Sequence, residues 1–222
     1  MNIIDILGRV DNISGSTEAN QTVFEEMAHS LFSKFCIQKG DETFYFLEVE
    51  FYYHTTGHSD EYTDTERKKT WKVYERRCPQ HGMWMLHDSG VDICFKTETD
   101  PNGVPLKYGG ILIRSLLHKD SKGTTVITGP SDCAEALFNF TSGELYPIIQ
   151  EIPGDGREVA LKAVSRRNYK SEGTSPKYGF YDSNYVATGA WAASGEKLER
   201  FNPRLGSSSE NRYTAKPWNN DK

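Results

Sequence analysis

FYFLEVEFYYHTTGHSDEYTD, residues 44–64, is the segment from which the architecture of this chain can be worked out. Its first ten residues are almost all aromatic or aliphatic, which is typical of a β-strand. Because side chains alternate along a strand, one face is predicted to carry Tyr45, Leu47, Val49, Phe51 and Tyr53. The other face is predicted to carry Phe44, Phe46, Glu48, Glu50 and Tyr52, with the two glutamate Cα atoms about 6.6 Å apart.

Two glutamates within an aromatic strand require an explanation, because a carboxylate that is buried without a partner is costly. A buried carboxylate either pairs with a cation or has its pKa raised, which suits it to proton transfer. The strand by itself favours the first explanation, in which Glu48 and Glu50 form structural salt bridges. The second explanation, a general base, stays open at this point.

Composition indicates one folded domain, residues 1–222, in which 36% of the residues are hydrophobic and 12% are aromatic. The opening MNIIDILGRV lacks the basic start and long apolar run of a signal peptide, so we expect a cytoplasmic protein with no membrane segment. The cysteines form no CxxC pair, and we expect no disulfide, no metal and no cofactor. They are Cys36, Cys78, Cys94 and Cys133.

The net charge of −5 and the pI of about 5.7 argue against a protein that simply coats nucleic acid, because such proteins are usually basic. Basic residues nevertheless cluster twice. One cluster occupies residues 67–77, and the second consists of Arg157, Lys162, Arg166, Arg167 and Lys170. Each cluster taken alone is typical of a solvated helix face.

Hydrophobic spacing and turn residues predict the order of the elements. Residues 20–35 have helical spacing, with Asn20 as a candidate N-cap, and residues 42–53 form the strand described above. Further strands are predicted in residues 82–86, 90–96, 110–115 and 124–128, and a second helix in residues 131–139. This mixture predicts an α+β fold, with residues 206–222 as a flexible polar tail.

The usual sequence signatures of catalytic and metal sites do not occur. The chain has no GxGxxG, no P-loop and no GxSxG motif. His54 and His58, with Cys78 and His81, are residue types that bind zinc, but their order and spacing fit no zinc finger. We therefore interpret these histidines as ordinary loop residues.

Five segments, in sequence order, carry a resemblance to a known family. EVEFYYHTTGHSDEYTD has a Glu-x-Glu-x-Tyr strand and an acidic loop, and HGMWMLHDSGVDICF has a Gly-Met-x-Met run and a Gly-x-x-x-Cys strand. GGILIRSL is an apolar strand with an arginine, and TGPSDCAEALF is a Gly-Pro-Ser helix start. The fifth, weaker segment is NPRLGSSSENRYTAKPW. Together they resemble the alkyladenine DNA glycosylase family over a span from Glu48 to Trp218.

The resemblance implies a single domain with a curved, mostly antiparallel sheet surrounded by helices, and a role in DNA base excision repair. It implies that Glu50 is the general base, activating a water that attacks the sugar carbon of the N-glycosidic bond of an alkylated purine. Arg114 matches the arginine that helps to hold this water, and Tyr52 matches the tyrosine that stacks on the flipped base. By residue type alone, Tyr52 also suits an apolar core, and Arg114 suits a structural ion pair with Glu48.

Three positions depart from the family pattern. Asp64 stands where the family has a histidine that packs on the base, Ser89 where it has a tyrosine wedge, and Lys96 where it has an asparagine. The resemblance assigns Asp64 to base binding, and Ser89 and Lys96 to contact with nucleic acid. The short LHDSG turn, however, supplies no aromatic wedge for a duplex. His58 or His87 is a candidate to replace one of the lost groups.

These features lead to three hypotheses. The first is a monofunctional, monomeric glycosylase acting on damaged DNA. The second is a homologue without duplex-repair activity that binds nucleic acid or a nucleoside-like ligand. The third is a hydrolase of a free nucleoside or another N-glycoside, which would account for the acidic charge and the missing wedge. Strongly salt-dependent duplex binding separates the first from the others, and turnover of free nucleosides separates the third from the second.

Asp64 generates a testable prediction about substrate preference. A carboxylate that faces Glu50 across the substrate favours a bound cation, because two neighbouring carboxylates disfavour double ionisation. We expect cationic 7-methylguanine to be excised in preference to neutral hypoxanthine, and Asp64→His should shift the ratio of the two excision rates toward hypoxanthine. An unchanged ratio would mean that Asp64 turns into solvent and caps a turn.

Overall fold

The computed structural model describes residues 2–13, 15–60, 63, 79–87, 90–121, 123–139, 145–166 and 176–185. The predictions that concern Asp64, Ser89, the basic cluster at 67–77 and the tail at 206–222 therefore lie outside the described residues.

Helices and strands combine in this chain to give an α+β fold. The helices are α1 (Ile3–Leu7), a 3-10 helix (Gly8–Asn12), α2 (Thr17–Lys34) and α3 (Pro130–Phe138). The strands are β1 (Phe35–Lys39), β2 (Glu42–His54), β3 (Trp84–His87), β4 (Gly90–Cys94), β5 (Glu98–Thr99), β6 (Pro105–Asp120), β7 (Gly123–Thr128), β8 (Ile148–Glu151), β9 (Leu161–Val164) and β10 (Gly179–Asp182). None of the described helices has the length and apolar character needed to cross a membrane.

The sheet is built around one long antiparallel pair, β2 with β6, which extends from Thr43↔Lys119 to His54↔Tyr108. The other edge of β2 pairs with β1 near its first residues and with β10 in its middle, at residues 48–50. The other edge of β6 is shared in the same way by β7 and β4. Every pairing between the described strands is antiparallel, and the sheet curls as a half-barrel. The predicted curved, mostly antiparallel sheet is therefore confirmed.

Helix α2 covers one face of this sheet and forms the main apolar core with it. Its buried side carries Phe24, Met27, Leu31 and Phe32, which recur at helical spacing. The Phe24 ring lies with its centroid 4.9 Å from that of Phe51 on β2. Burying one such side chain stabilises the fold by about 1.5–3 kcal/mol, so the helix determines which face of β2 contributes to the main apolar core.

The alternation of side chains along β2 is interrupted at Glu48, and this corrects the predicted assignment of faces. Phe44 and Phe46 lie in the same core as Val49, Phe51 and Tyr53, not on the glutamate face. The register between β2 and β6 is irregular on both sides of Glu48. Because such an irregularity shifts the two-residue period, aromatic residues on both sides of it stay buried under α2. Tyr45 and Leu47 instead pack against Leu117 in a separate small cluster.

Two sequence predictions about helices are also corrected. Asn20 is not the N-cap of α2, because the helix begins at Thr17 and Ser16 is the cap, with its Oγ accepting a hydrogen bond from the Ala19 N–H. The second basic cluster is not a solvated helix face in its described part, which contains the short strand β9. Arg166 in that cluster is buried. The predicted helix at 131–139 and the strand at 42–53 are confirmed to within one residue at each end.

Gly109 provides a test of how closely β2 and β6 approach. A Cβ atom added at Gly109 would lie 2.1 Å from the carbonyl oxygen of Tyr52, whereas one added at Gly8 would meet nothing within 4 Å. Gly109→Ala should therefore lower the free energy of unfolding by about 1–3 kcal/mol or more, because the strand pair must separate locally. Gly8→Ala is the matched control and should be neutral or slightly stabilising, since Gly8 has a helical φ of −65°. Urea denaturation of both variants measures the difference, and equal stabilities would contradict the packing at Gly109.

Candidate active site

Glu50 lies in a row of paired residues that crosses four strands. It pairs with Leu112 of β6, which in turn pairs with Asp92 of β4, and on its other side it pairs with Gly179 of β10. Residues that are directly opposite in antiparallel strands project to the same face. Glu50, Leu112 and Asp92 therefore share the face of the sheet that is opposite to α2.

Arg114 lies between the two glutamates of β2 on this face. Its Nε is 3.6 Å from Oε1 of Glu48, and its Nη1 is 3.6 Å from Oε2 of Glu50. All three side chains are buried, with no more than 4% of any of them exposed. Among the described residues, the Nε and Nη2 atoms of Arg114 have no hydrogen-bond partner although both are buried. A buried guanidinium with N–H groups left over is suited to hold a small polar ligand such as a water molecule.

Tyr52 extends the cluster along β2. Its hydroxyl donates a hydrogen bond to Oε2 of Glu50 over 2.5 Å. Burial raises the pKa of Tyr52 to about 12, and the carboxylates of Asp92 and Asp60 add to this, while Arg166 and Arg114 oppose it. The hydroxyl therefore stays protonated at neutral pH and remains a donor to the Glu50 carboxylate.

A second buried cation, Arg166, packs on the ring of Tyr52. Its guanidinium carbon lies 4.5 Å from the Tyr52 ring centroid and 5.5 Å from that of Tyr178. Its Nη1 donates to Oδ2 of Asp60 over 2.6 Å and to the carbonyl oxygen of Phe51 over 2.9 Å, and its Nη2 donates to Oδ1 of Asp60 over 2.8 Å. This fork arrangement fixes the guanidinium against β2.

The charges of Asp60 and Arg166 stabilise each other. Burial opposes ionisation of Asp60, but the hydrogen bonds and charge of Arg166, with further hydrogen bonds from Thr63 and the Tyr53 N–H, hold its pKa below the ordinary value. Burial likewise disfavours the charged form of Arg166, yet Asp60 outweighs this and raises the pKa of the guanidinium. The pair is therefore ionised at neutral pH.

His87 and Asp92 form a third polar group on the same face. His87 Nε2 lies 3.1 Å from Oδ1 of Asp92, and the two side chains are 22% and 5% exposed. Asp92 lies over Gly110, where an added Cβ would come within 3.1 Å of Oδ2 of Asp92. Gly110 itself pairs with Tyr52. The carboxylate of Asp92 is thus directed toward the Tyr52 side of the sheet.

The structure brings three of the predicted site residues together and does not bring Lys96 to them. Glu50, Arg114 and Tyr52 form one buried cluster on one face. Lys96 is exposed beyond the end of β4, where its backbone N–H donates to His81 Nδ1 and its Nζ lies 3.9 Å from Glu98. Asp64 and Ser89 lie outside the described residues. Arg114 was also considered as a structural ion-pair partner of Glu48. The structure shows this ion pair together with the contact between Arg114 and Glu50.

Sequence reasoning did not identify four polar residues that lie around the cluster of Glu50, Arg114 and Tyr52. Asp92 is a lone acidic residue within an apolar strand, which is the same signal that singled out the glutamates of β2. His87 was noted only as a possible replacement, with no position assigned. Asp60 and Arg166 gave no usable signal, because one lies in a polar loop and the other in a basic run.

The residues considered for zinc have other contacts in the structure. The ring of His54 stacks on Tyr108 at 4.9 Å, and the ring of His58 packs edge-on against Tyr178 at 5.6 Å. Burial lowers the pKa of His58 and of His81. Cys78 lies outside the described residues, and the described cysteines Cys36, Cys94 and Cys133 form no disulfide with one another.

Comparison of the chain with models of known protein families finds no match, and a search of curated proteins finds none either. Assignment of chemistry to this cluster therefore rests on its geometry and on the five sequence segments. The cluster combines a buried carboxylate, a guanidinium with N–H groups left over and a tyrosine hydroxyl, a set that can accept a proton from a bound water.

The ion pair of Asp60 and Arg166 predicts a pH-dependent contribution to stability. Because the folded-state pKa of Asp60 is lowered, this contribution is present above the unfolded value of about 3.9 and is lost as the pH falls through the folded value. Asp60→Asn should lower the free energy of unfolding by about 3–5 kcal/mol at pH 7, since it removes the carboxylate that pairs with the buried Arg166. The difference from the wild type should shrink as the pH falls below about 4.

Urea denaturation at pH 7 and at pH 3 measures this difference. The matched control is Asp41→Asn, because Asp41 is exposed, and it should differ little from the wild type at either pH. A loss of stability in Asp60→Asn that is the same at both pH values would contradict the ion pair.

Proposed function

We propose that this chain is an alkyladenine DNA glycosylase-like hydrolase, which removes alkylated purines from DNA by hydrolysing the N-glycosidic bond. The observation that supports this most directly is the convergence of Glu50, Arg114 and Tyr52 in one buried cluster, each at a position that the resemblance assigns to the chemistry. The curled antiparallel sheet with α2 and α3 is compatible with the fold of that family. We include this family-like fold in the proposal.

Glu50 acts as the general base in the proposed reaction. Its carboxylate accepts a proton from a water, and the oxygen of that water forms a bond with the sugar carbon as the bond to the purine breaks. A carboxylate also stabilises the positive charge that develops on the sugar in the transition state. Arg114 supports this role, because its Nη1 lies 3.6 Å from Glu50 and its Nε and Nη2 have no hydrogen-bond partner among the described residues.

Tyr52 contributes in two ways to the proposed site. Its hydroxyl orients Glu50 through the hydrogen bond of 2.5 Å. Its ring is an aromatic surface on which a purine can stack, and one face of that ring is covered by Arg166. Only 8% of Tyr52 is exposed, so a purine reaches the ring only after neighbouring side chains move.

A second candidate function is supported by this burial. Glu50 is fully buried, Arg166 covers Tyr52, and the chain carries a net charge of −5, which does not favour binding to a duplex. These features favour a homologue without duplex-repair activity that binds nucleic acid or hydrolyses a smaller, nucleoside-like N-glycoside. In either case we propose a monomer that acts in the cytoplasm without a cofactor.

The proposed reaction predicts different effects for the two glutamates of β2. Glu50→Gln keeps the shape of the side chain but cannot accept a proton, so it should lower the excision rate by about 10²- to 10⁴-fold while leaving binding largely intact. Glu48→Gln is the matched control and should cause a much smaller loss, because Glu48 contacts the far side of Arg114. Single-turnover assays on duplex and single-stranded oligonucleotides with one hypoxanthine or ethenoadenine measure both rates.

The same assays separate the hypotheses. Turnover of a free nucleoside without turnover of either oligonucleotide would support the second candidate. Equal losses in Glu50→Gln and Glu48→Gln would remove Glu50 from the role of general base. A wild-type protein that releases no base from any of the three substrates would contradict the proposed hydrolase.

A further inference from the structure

Three side chains of metal-binding type lie together at the end of the β2–β6 pair where β2 begins. One ligand atom from each of Glu42, His118 and Asp120 lies within 4.8 Å of the other two. The register of the strands explains this grouping, because Phe44 is directly opposite His118. The next outward pair on the same face consists of Glu42 and Asp120.

The imidazole of His118 is held in place, and its Nε2 atom makes no hydrogen bond. The ring stacks on Phe44, with the centroids 4.5 Å apart and the planes at 9°. Nε2 is buried without a hydrogen-bond partner among the described residues, although Oε1 of Glu42 lies only 3.3 Å away. Buried ring nitrogens normally have a partner. The two atoms are thus close together without hydrogen-bond geometry, as two ligands of one ion are.

The distance between Nε2 and Oε1 is that of two ligands on one metal ion. Zn²⁺ binds imidazole nitrogen and carboxylate oxygen at about 2.0–2.2 Å in tetrahedral geometry, so neighbouring ligand atoms are about 3.3–3.5 Å apart. The 3.3 Å between His118 and Glu42 meets this requirement. The separations to Asp120 contract by no more than about 1.5 Å on binding, which rotation of its side chain supplies.

The other contacts of the two carboxylates favour such a site. Oδ1 of Asp120 accepts a hydrogen bond from the Gly123 N–H over 3.0 Å, which holds this carboxylate at the turn between β6 and β7. Among the described residues, Glu42 has His118 as its only ion-pair partner. A divalent cation would neutralise both carboxylates and give Nε2 of His118 a partner.

We propose that Glu42, His118 and Asp120 bind one divalent cation of the zinc class, with water in the remaining position. One imidazole and two carboxylates suit Zn²⁺, whereas Ca²⁺ and Mg²⁺ prefer oxygen ligands alone. The ion joins the first residue of β2 to the last residue of β6. It therefore closes the end of the longest strand pair in the described sheet.

This inference is independent of the proposed function. Glu42 lies about 25 Å from Glu50 along β2, so the cation takes no part in the proposed reaction. The sequence predicts no metal, because its histidines and cysteines fit no zinc motif. The three ligands come from the ends of two strands that are distant in sequence, and only the pairing of those strands brings them together.

A titration with Zn²⁺ alone tests the proposal. The protein is first treated with EDTA and separated from the chelator, and binding is then measured by isothermal titration calorimetry. His118→Gln should weaken binding by about 100-fold or more, since loss of a group that only supports a ligand already costs about 10- to 100-fold. Glu42→Gln should also weaken binding, and it retains the stacking of His118 on Phe44, so its loss does not result from a disturbed core.

His29 provides a matched control for these variants. It is an exposed histidine on α2, with Glu25 and Glu26 one turn before it. His29→Gln should bind Zn²⁺ as the wild type does, because a surface histidine near carboxylates is not a formed site. Circular dichroism of each variant before titration identifies any variant that has lost its fold.

The location of the ion requires a separate measurement, because cysteine thiolates also bind zinc. Paramagnetic Co²⁺ added to the isotope-labelled protein should shift the backbone amide NMR signals of Phe44 and Thr125 most strongly. These residues pair with His118 on its two sides. The signals of Leu112, which pairs with Glu50, should shift much less.

Three results would overturn the inference. The first is a wild-type protein that binds no Zn²⁺. The second is equal binding by the wild type, His118→Gln and Glu42→Gln, which would mean that His118 only forms an ion pair with Glu42. The third is a set of Co²⁺ shifts centred away from this end of the sheet. None of these results bears on base excision, which is measured without added metal.

Discussion

A guanidinium buried beside two carboxylates, at the centre of the longest strand pair, is the constraint on which the rest of this structure depends. Arg114 contacts both Glu48 and Glu50, and removing one partner of such a buried group typically costs about 3–5 kcal/mol. All three side chains must therefore stay on one face of the sheet, while the phenylalanines that flank them must stay under α2 on the other. The irregular register of β2 and β6 at Glu48 allows both requirements to be met.

The second buried ion pair, Asp60 with Arg166, holds Tyr52 in place. Asp60 and Arg166 come from segments on either side of the β6 region in sequence, and both attach to β2, through the Tyr53 N–H and the Phe51 carbonyl. Tyr52 is consequently fixed in two ways, by Arg166 on its ring and by Glu50 at its hydroxyl. These contacts fix the position of Tyr52 relative to Glu50. The same face continues across β6 to Asp92 and His87, so the sheet itself sets the spacing between the two ends of the site.

Most of the secondary structure could be predicted from the sequence, because its signals are local. Helical spacing identified α2, the apolar runs identified β2 and β6, and the Gly-Pro-Ser turn marked the start of α3. The assignment of faces along β2 was wrong for Phe44 and Phe46, since a strict two-residue period cannot include an irregularity that arises from pairing with a distant strand. The helical interpretation of the second basic cluster was wrong in its described part for a similar reason, because the burial of Arg166 depends on Asp60, which is 106 residues away in sequence.

The sequence by itself determined that acidic residues lie within an aromatic strand, and the resemblance of five segments to one family singled out Glu50, Tyr52 and Arg114 as candidate site residues. Strand alternation sufficed to place Glu50 and Tyr52 on one face, because they are two residues apart. Only the tertiary structure decided which cations reach them, since Arg114 and Arg166 come from β6 and from the segment after β9. It also decided that Asp92 and His87 belong to the same face. The physical reason is that the position of a side chain across a sheet depends on register and curl, which result from long-range pairing and packing rather than from local sequence.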